Sequence, residues 1–258
     1  MIHPKISIVI PSFNKFKYIG KTLDSIFLQK YPNLEVIIQD GGSTDGTLQI
    51  IKKYAKRYPR VIKWVSKKDK GQLDAINKGL AKATGEIISF INADDVYTKN
   101  AFDEISKAYG ESPGSIWFAG QGTVIDKKGK EIAKLVTIYK NIALVLNSKF
   151  YLLITNYLMQ PSIFLAKDAY DKYGPFSGTD DFVTEYDLWL KLSRKRMPYI
   201  INKTLSRFRI EPGTKTKNMF IKLLEVDSKI VRKYTKSKLF LFLHDLHNIS
   251  RIIVEKFV

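Results

Sequence analysis

Short apolar runs alternate with helical patterns along the first hundred residues, and this alternation constrains the fold more than any other feature of the sequence. Residues 5–10 form a β-branched run that Pro11 stops, and the next segment repeats apolar residues at helical spacing. The same order then recurs. The predicted strands cover residues 5–10, 34–39, 61–66 and 86–91, and the predicted helices about 18–30, 44–57 and 71–83, with Ser43 or Thr44 as N-cap of the second.

Strands that alternate with helices imply a mainly parallel sheet covered by helices on both faces. We therefore expect a Rossmann-like α/β unit in the first half of the chain. Ligands of such sheets bind beyond the carboxyl ends of the strands, where the connecting loops converge. Four polar segments follow the four predicted strands, namely "PSFNK", "QDGGSTDGT", "SKKDKG" and "NADD". Together they predict a binding site.

Asp94 and Asp95 stand side by side directly after the fourth apolar run, and the sequence around them supplies no counter-charge. A divalent cation such as Mg²⁺ or Mn²⁺ would supply it, since such ions commonly use one or two carboxylates together with substrate phosphates. The chain has no cysteine and three histidines, so oxygen ligands or one of those histidines would hold the metal. Neither a P-loop nor a G-x-G-x-x-G motif is present.

The other three loops carry groups that suit a nucleotide. Asp40 can accept an N–H from a base edge. The residues of its loop are also typical of turns and helix caps, so a purely structural role is the alternative. Ser12 and Asn14 can contact a ribose or base, while Pro11 also serves to stop a strand. Lys70 and Gly71 precede a helix whose N-terminus attracts phosphate. The alternative is that the charged residues of this loop are solvated and bind no ligand.

The net charge of +18 favours anionic partners: nucleic acid, an anionic membrane or phosphorylated small molecules. No nucleic-acid-binding motif accompanies the charge, so nucleic acid is not expected. No window reaches the roughly 20 apolar residues that span a bilayer, and the first apolar run ends at Pro11, so we expect neither secretion nor a membrane span. The lack of cysteine suits a reducing compartment.

Three segments resemble the nucleotide-sugar half of the family 2 glycosyltransferases, which have the GT-A fold. They read "ISIVIPSFNKFKYIGKTLDSI", "EVIIQDGGSTDGT" and "DKGQLDAINKGLAKATGEIISFINADD". The resemblance runs through residues 5–97 and continues more weakly to about residue 212. It implies an inverting transferase that moves a sugar from a nucleotide diphosphate donor, with UDP preferred, to an acceptor hydroxyl with the help of Mn²⁺ or Mg²⁺.

The resemblance also implies roles for single residues. Asp40 would contact the base, Asp94 would be the metal-binding aspartate of the DxD motif, and Asp95 would support it. Asn92 stands at the first DxD position, and Glu211 stands where a metal-binding histidine is expected. The full set expected at the nucleotide is Pro11, Ser12, Asn14, Asp40, Lys70, Gly71, Asp74, Asn92 and Asp94.

Residues 158–176 and 180–192 resemble the acceptor half of the same family. On this alignment Glu185 is the base that takes the proton of the acceptor hydroxyl, with Asp187 as the alternative. Asp187 lies two residues further on, so on a helix the two carboxylates point in different directions. Asp180 and Asp181 are read as charges at the helix start, and the apolar residues from Leu188 to Leu192 as core.

The expected organisation is a GT-A domain over residues 1–212, with a nucleotide-sugar half (1–97) and an acceptor half (98–212), and a basic helical extension over 213–258. The leading function is a cytoplasmic glycosyltransferase that acts on a polysaccharide, glycoprotein or lipid-linked glycan. Two alternatives stay open: a GT-A nucleotidyltransferase that makes nucleotide sugars, and a non-catalytic basic protein that binds membranes or nucleic acid.

The last residues, from about 237 to 258, have an amphipathic helical pattern. One predicted stripe carries Leu239, Phe242, Leu246, Ile249 and Ile253, and basic residues precede it. We expect this helix to dock on the inner face of the cell membrane, as a peripheral attachment to an anionic leaflet. Packing on the catalytic domain, or pairing with a second copy in a homodimer, is the alternative.

Overall fold

A mixed sheet of nine strands organises the part of the chain that the structure describes. The computed structural model describes residues 3–178, 184–210 and 219–255. In its first half, strands and helices alternate as β1 (Ile6–Ser12), α1 (Ile19–Phe27), β2 (Leu34–Asp40), α2 (Thr47–Arg57), β3 (Ile62–Ser66), α3 (Gln72–Lys82) and β4 (Ile87–Phe90). These four strands pair in parallel, with β1 between β2 and β4 and with β3 outside β2. The predicted Rossmann-like unit is confirmed.

The predicted N-cap of α2 is wrong. The helix begins at Thr47, and its N-cap is Gly46 with a positive φ of 96° and no side-chain cap. Asp45 Oδ1 accepts the amide of Thr47 at 3.0 Å, so a carboxylate two residues before the helix start takes one of the free donors. The Ser43 hydroxyl donates instead to Asp40, inside the loop.

The second half adds strands of mixed direction. The elements are β5 (Val96–Tyr97), α4 (Ala101–Glu111), β6 (Trp117–Ile125), β7 (Glu131–Ile132), α5 (Lys134–Leu146), α6 (Lys149–Ile154), β8 (Ile163–Ala166), α7 (Lys167–Tyr173), α8 (Glu185–Ser193) and β9 (Tyr199–Arg209). Along the sheet the strand order is β3-β2-β1-β4-β8-β6-β9-β5, with β7 paired to β6. The strand β8 is antiparallel to both of its neighbours, whereas β6 and β9 are parallel.

Two apolar clusters cover the two faces of the sheet, because alternate residues of a strand point to opposite sides. On β1, Val9 belongs to one cluster and Ile8 to the other. The helix α3 packs closely on β1 at Gly79, where an added Cβ would lie 2.3 Å from Val9 Cγ1. This close packing fixes the distance between α3 and β1 at that point.

Two C-terminal helices, α9 (Phe220–Tyr234) and α10 (Lys238–Glu255), pack on α8 and α6 respectively. Ile230 and Val231 of α9 are buried in the same cluster as Trp189 of α8, and α10 contacts α6. Among the helices of the described residues, none combines the length and the hydropathy needed to cross a bilayer. The division into a domain of residues 1–212 and an extension of residues 213–258 stays a prediction.

Candidate functional site

The loops that follow β1 and β2 are joined by direct hydrogen bonds. The amide of Asn14 donates to Ser43 Oγ at 2.8 Å, and the amide of Thr44 donates to Asn14 Oδ1 at 2.9 Å. Asn14 has a positive φ of 51°, a conformation that asparagine tolerates well. The end of β3 and the loop after it join the same set. Ser66 Oγ donates to Asp40 Oδ2 at 2.6 Å, and the amide of Lys67 donates to the backbone oxygen of Asp40 at 2.9 Å.

The loop after β4 accepts hydrogen bonds from two residues near the other loops. Gln72, the first residue of α3, donates from Nε2 to Asn92 Oδ1 at 2.6 Å. Lys15, in the loop after β1, donates from Nζ to Asp94 Oδ2 at 2.5 Å. All four polar loops therefore meet at one edge of the sheet, beyond the carboxyl ends of the parallel strands, where ligands of such folds bind.

Asp40 is almost fully buried at the centre of this edge, with 2% of its surface exposed. Its Oδ2 accepts the amides of Gly42 at 3.1 Å and Ser43 at 2.9 Å, besides the hydroxyl of Ser66. Its Oδ1 accepts only the Ser43 hydroxyl, at 2.5 Å, among the described residues. A carboxylate oxygen has two lone pairs, so Oδ1 keeps one acceptor position for a further N–H.

The sequence around the aspartate pair supplies no counter-charge, but the fold brings two cations to it. Lys15 supplies one to Asp94, from a loop 79 residues earlier in the chain. Arg209, at the end of β9, is the second: its Nε donates to the backbone oxygen of Asp94 at 2.8 Å. Neither residue is near the pair in sequence, so only the folded chain reveals them.

Asp95 lies beneath Asp94 and is completely buried. Its Oδ1 accepts the amide of Arg209 at 2.8 Å, and its Oδ2 accepts Asn92 Nδ2 at 3.3 Å. Burial, reinforced by the charge of Asp94, raises the pKa of the Asp95 carboxyl well above its usual range. Both of its oxygens are occupied by the protein, so Asp95 holds the loop after β4 against β9.

Asp94 fits a divalent metal better than Asp95 does. Its side chain is 12% exposed, and Oδ2 already holds a cationic group. Among the described residues, no group of three or more His, Asp or Glu side chains is placed to hold a metal ion. Asp94 would hold one together with phosphate oxygens of a ligand. One carboxylate with phosphates is a common arrangement for Mg²⁺. Glu211, the other expected ligand, lies outside the described residues.

The N-terminus of α3 carries three of the expected nucleotide residues. The amide of Lys70 donates to Asp74 Oδ2 at 3.1 Å, and Asp74 also pairs with Lys78 at 2.6 Å. Hydrogen bonds from Lys78 and from the amide of Lys70 lower the pKa of Asp74. Gly71 has a φ of 110°, a region that favours glycine, so the turn before the helix depends on it.

Sequence reasoning missed two aromatic residues in the loop after β1. Phe13 and Phe16 are both more than half exposed, next to Asn14. An exposed aromatic ring beside a candidate base site can stack on a base. Two aromatics flanking a polar loop residue would have been the signal. Ser12 adds a hydroxyl with no partner among the described residues, although it is buried.

In the second half of the chain, Glu185 is the first residue of α8 and lines a pocket of about 100 Å³. Burial raises the pKa of the Glu185 carboxyl to about 7; its own backbone hydrogen bond opposes the rise and Asp227 adds to it. The polar residues of the pocket come from five different segments. They are Lys140 of α5, Asn156, Thr184, Glu185, Asp227 of α9 and Arg251 of α10.

The C-terminal helices thus contribute two charged side chains to the pocket that holds Glu185. Arg251 donates to Asp227 Oδ2 at 3.2 Å. Lys140 donates to the backbone oxygen of Asn156 at 3.1 Å, and burial, with the nearby Arg251, lowers the pKa of Lys140 to about 8. Asn156 Oδ1 is buried without a partner among the described residues, so the pocket offers both an acceptor and donors to a polar ligand.

Asp187 points elsewhere, as its helical position predicts. Its Oδ2 accepts Ser177 Oγ at 3.1 Å, and its Oδ1 accepts Tyr234 Oη at 3.2 Å and Lys233 Nζ at 3.4 Å. The side chain therefore ties α8 to α9. Leu188, Trp189, Leu190 and Leu192 are buried, as expected for core residues. Asp180 and Asp181 lie outside the described residues.

The sequence matches the family described as "Glycosyl transferase family 2" over residues 7–169. An uncharacterized glycosyltransferase of Nostoc sp. is 33% identical over 105 residues, which are 41% of this chain and 33% of that protein. An uncharacterized glycosyltransferase of Rickettsia prowazekii is 25% identical over 251 residues, 95% of this chain and 77% of that protein. The chain thus matches only a third of the Nostoc protein's length.

Two solved structures are similar in fold. A mannosyltransferase of Pyrobaculum calidifontis, in complex with GDP-Man and Mn²⁺, superposes with a TM-score of 0.69 at 18% identity, covering 94% of this chain and 69% of that chain. S. aureus TarS in complex with UDP-GlcNAc superposes with a TM-score of 0.64 at 18% identity, covering 92% of this chain and 69% of that chain. The expected GT-A fold is confirmed.

Proposed function

The chain belongs to family 2 of the glycosyl transferases, and from this premise we propose that it moves a sugar from a nucleoside diphosphate donor to an acceptor hydroxyl with inversion. One observation carries the proposal: four polar loops meet at one edge of the sheet, and both Asp40 and Asp94 lie at that edge. Family membership favours transfer over nucleotide-sugar synthesis and over a non-catalytic binding role.

The proposed donor is a UDP-sugar, and a solved structure of similar fold holds UDP-GlcNAc. Asp40 Oδ1 would accept an N–H of the base, and the exposed Phe13 would stack on it. Pro11, Ser12, Asn14 and Asn92 would line the nucleoside, while Lys70, Gly71 and Asp74 form the N-terminus of α3 towards the phosphates.

The proposed base is Glu185. Its carboxylate takes the proton of the acceptor hydroxyl while that oxygen bonds to the anomeric carbon. The bond from the anomeric carbon to the diphosphate breaks on the opposite face, and the nucleoside diphosphate leaves with the electron pair. The carboxyl pKa of about 7 suits this role, because a general base works best near the operating pH.

The proposed metal is Mn²⁺ or Mg²⁺, held by Asp94 and phosphate oxygens, with Asp95 holding the loop in place. When bound, the metal would neutralise charge that builds up on the departing diphosphate. Lys15 would then leave Asp94 and lie close to the phosphates. Glu211 would be a second ligand. The solved mannosyltransferase of similar fold was crystallised with Mn²⁺.

The proposed acceptor is a hydroxyl of a polysaccharide, a glycoprotein or a lipid-linked glycan. The pocket beside Glu185 supports a polyol, because Asn156 Oδ1 can accept from a hydroxyl while Lys140 and Arg251 can donate. The proposed location is the cytoplasm, with α10 at the inner face of the cell membrane. The cysteine-free composition and the net charge of +18 support this location.

Calorimetric titration with UDP, in the presence of Mn²⁺ and then of EDTA, tests the donor and metal parts together. We expect tighter UDP binding with Mn²⁺. Asp94→Ala should remove the metal-dependent part and keep the thermal unfolding profile. Equal UDP affinity in both buffers would contradict the metal role, and no binding of any nucleoside diphosphate would contradict the donor site. A screen of donor hydrolysis over several nucleotide sugars then identifies the sugar.

A further inference from the structure

One face of α5 and α6 presents a row of large apolar side chains to solvent, although both helices belong to the acceptor half. Single exposed apolar residues are common on soluble proteins, but a continuous row marks an interaction surface. The spacing of three and four places the α5 residues on one side of the helix. Each of the following side chains is more than half exposed: Leu135, Ile138, Ile142, Val145, Leu146 and Phe150.

The helix α10 presents a second row. The stripe predicted from the sequence is confirmed as an exposed face: Leu239, Phe242, Leu246, Ile249 and Ile253 are each more than half exposed. The opposite side of α10 packs on the protein, where His244 is buried and contacts the backbone oxygen of Ile154 at 2.9 Å. The apolar stripe is thus left free of the described core.

These two rows adjoin. The rings of Phe150 and Phe240 stack with centroids 5.6 Å apart, which joins α6 to the start of α10. Tyr139 Oη lies 3.0 Å from His247 Nε2, which joins the middle of α5 to the middle of α10. We call the combined exposed surface of α5, α6 and α10 the apolar face.

The rim of the apolar face is basic. Residues 132–167 contain no aspartate or glutamate. The helix α10 contains two acids: Asp245, which pairs with Arg232 at 2.8 Å, and its last residue, Glu255. The exposed lysines at the ends of the three helices are Lys134, Lys149, Lys236 and Lys238.

A pocket of about 200 Å³ opens at the edge of the apolar face. Two cations, Lys149 and Arg194, line it together with Phe150, Leu153 and Tyr234, and its lining includes no carboxylate. Arg194 is held in place by donation to the backbone oxygen of Tyr234 at 2.8 Å. Apolar groups beside two cations match the chemistry of a phospholipid, with acyl chains next to a phosphate.

We propose that the apolar face docks the protein on an anionic phospholipid bilayer, and that α5 and α6 are part of the anchor together with α10. An interfacial surface of this kind combines apolar side chains that enter the headgroup region with lysines that face anionic lipids. A second copy of the chain fits less well, because a twofold contact would bring the two lysine rims together. The proposal does not depend on the sugar-transfer chemistry.

Co-flotation of the full chain with vesicles tests the proposal. We expect binding to vesicles of phosphatidylcholine with phosphatidylglycerol, and much weaker binding to phosphatidylcholine alone. Leu135→Ser with Leu146→Ser, which leaves α10 intact, should lower the partition coefficient at least tenfold. Leu239→Ser with Leu246→Ser should do the same. Leu28→Ser, at a comparably exposed leucine directly after α1, is the control and should bind as the parent does.

Lys134→Gln with Lys149→Gln should weaken binding to the anionic vesicles by roughly fivefold for each lysine. The matched control is Lys52→Gln with Lys56→Gln, which makes the same charge change on α2. Circular dichroism melts identify any variant that fails to fold, and the two leucine pairs give independent readings. Unchanged flotation of the folded α5 pair overturns the proposal. So does a change from dimer to monomer in sedimentation without a change in flotation.

Discussion

Lys15 and Asp94 form an ion pair across the site, with Nζ 2.5 Å from Oδ2. The lysine comes from the loop after β1 and the aspartate from the loop after β4, two neighbouring strands of the parallel sheet. The Lys15 side chain is one-third exposed, so the pair is accessible to a ligand. A cation therefore already stands at the oxygen that the proposed metal would use.

Lys15→Met should tighten the binding of Mn²⁺ in the absence of nucleotide, because it removes a competitor for Asp94 Oδ2. The expected gain is about two- to fivefold, since partly exposed ion pairs contribute at most about 1 kcal/mol. Calorimetry with MnCl₂ measures it. Lys21→Met makes the same charge change on an exposed side of α1 and is the control. Weaker Mn²⁺ binding in Lys15→Met would show that Lys15 is no competitor.

Asp95→Ala should lower the free energy of unfolding by about 1–3 kcal/mol, because the buried amide of Arg209 loses its acceptor. Asp95→Asn should cost less, since an amide oxygen can still accept that bond. Urea unfolding of the two variants and the parent chain measures the difference. Because the pKa of Asp95 is raised, replacing its carboxyl by a neutral group should cost little unfolding free energy. A large loss in Asp95→Asn would instead show that the negative charge itself is needed.

Asp40→Asn should weaken UDP binding by roughly tenfold if Oδ1 accepts the N3–H of uracil. The N3-methylated form of UDP lacks that donor, so its affinity, already low for the parent, should change little. Calorimetric titration of both nucleotides compares the two effects directly. Equal losses for UDP and for the methylated form would mean that Asp40 only holds the loop, through Gly42, Ser43 and Ser66.

Periodicity in the sequence was enough to predict the first four strands and three helices, because each element there combines local propensity with a clear apolar period. It also placed the four polar loops at one edge, since parallel strands end together. The partners of the aspartate pair could not be predicted. Lys15 and Arg209 lie 79 and 115 residues away from Asp94, and only tertiary contacts bring them together.

The surroundings of Glu185 show the same limit. The position of Glu185 at the start of a helix could be predicted from the motif. Its pocket, however, includes Asp227 of α9 and Arg251 of α10, and the amphipathic pattern of the C-terminal residues did not show that these side chains lie beside Glu185. The exposed row on α5 is a further case. Its residues have helical spacing, but periodicity alone cannot tell a core-facing stripe from one that faces solvent.

Glu185→Gln should reduce sugar transfer by roughly 10²–10⁴-fold and leave UDP binding unchanged, if general-base catalysis is the whole contribution of Glu185. The rate of the parent enzyme should rise with pH and level off above about 7, because the carboxyl must lose its proton to act and burial raises its pKa to about 7. In Glu185→Gln the residual rate should lose this dependence. Transfer assays at saturating donor, from pH 5.5 to 9, measure both effects.

The same raised pKa also predicts how the stability of the parent chain varies with pH. Since the folded state holds the Glu185 proton more tightly than the unfolded state, the contribution is fully present below about pH 4.5 and is lost as pH rises through about 7. Glu185→Gln should therefore gain melting temperature relative to the parent at pH 8 but not at pH 4.5. Asp187→Asn is the control, because Asp187 ties α8 to α9 instead of lining the pocket. If Asp187→Asn abolishes transfer while Glu185→Gln stays active, the base is Asp187.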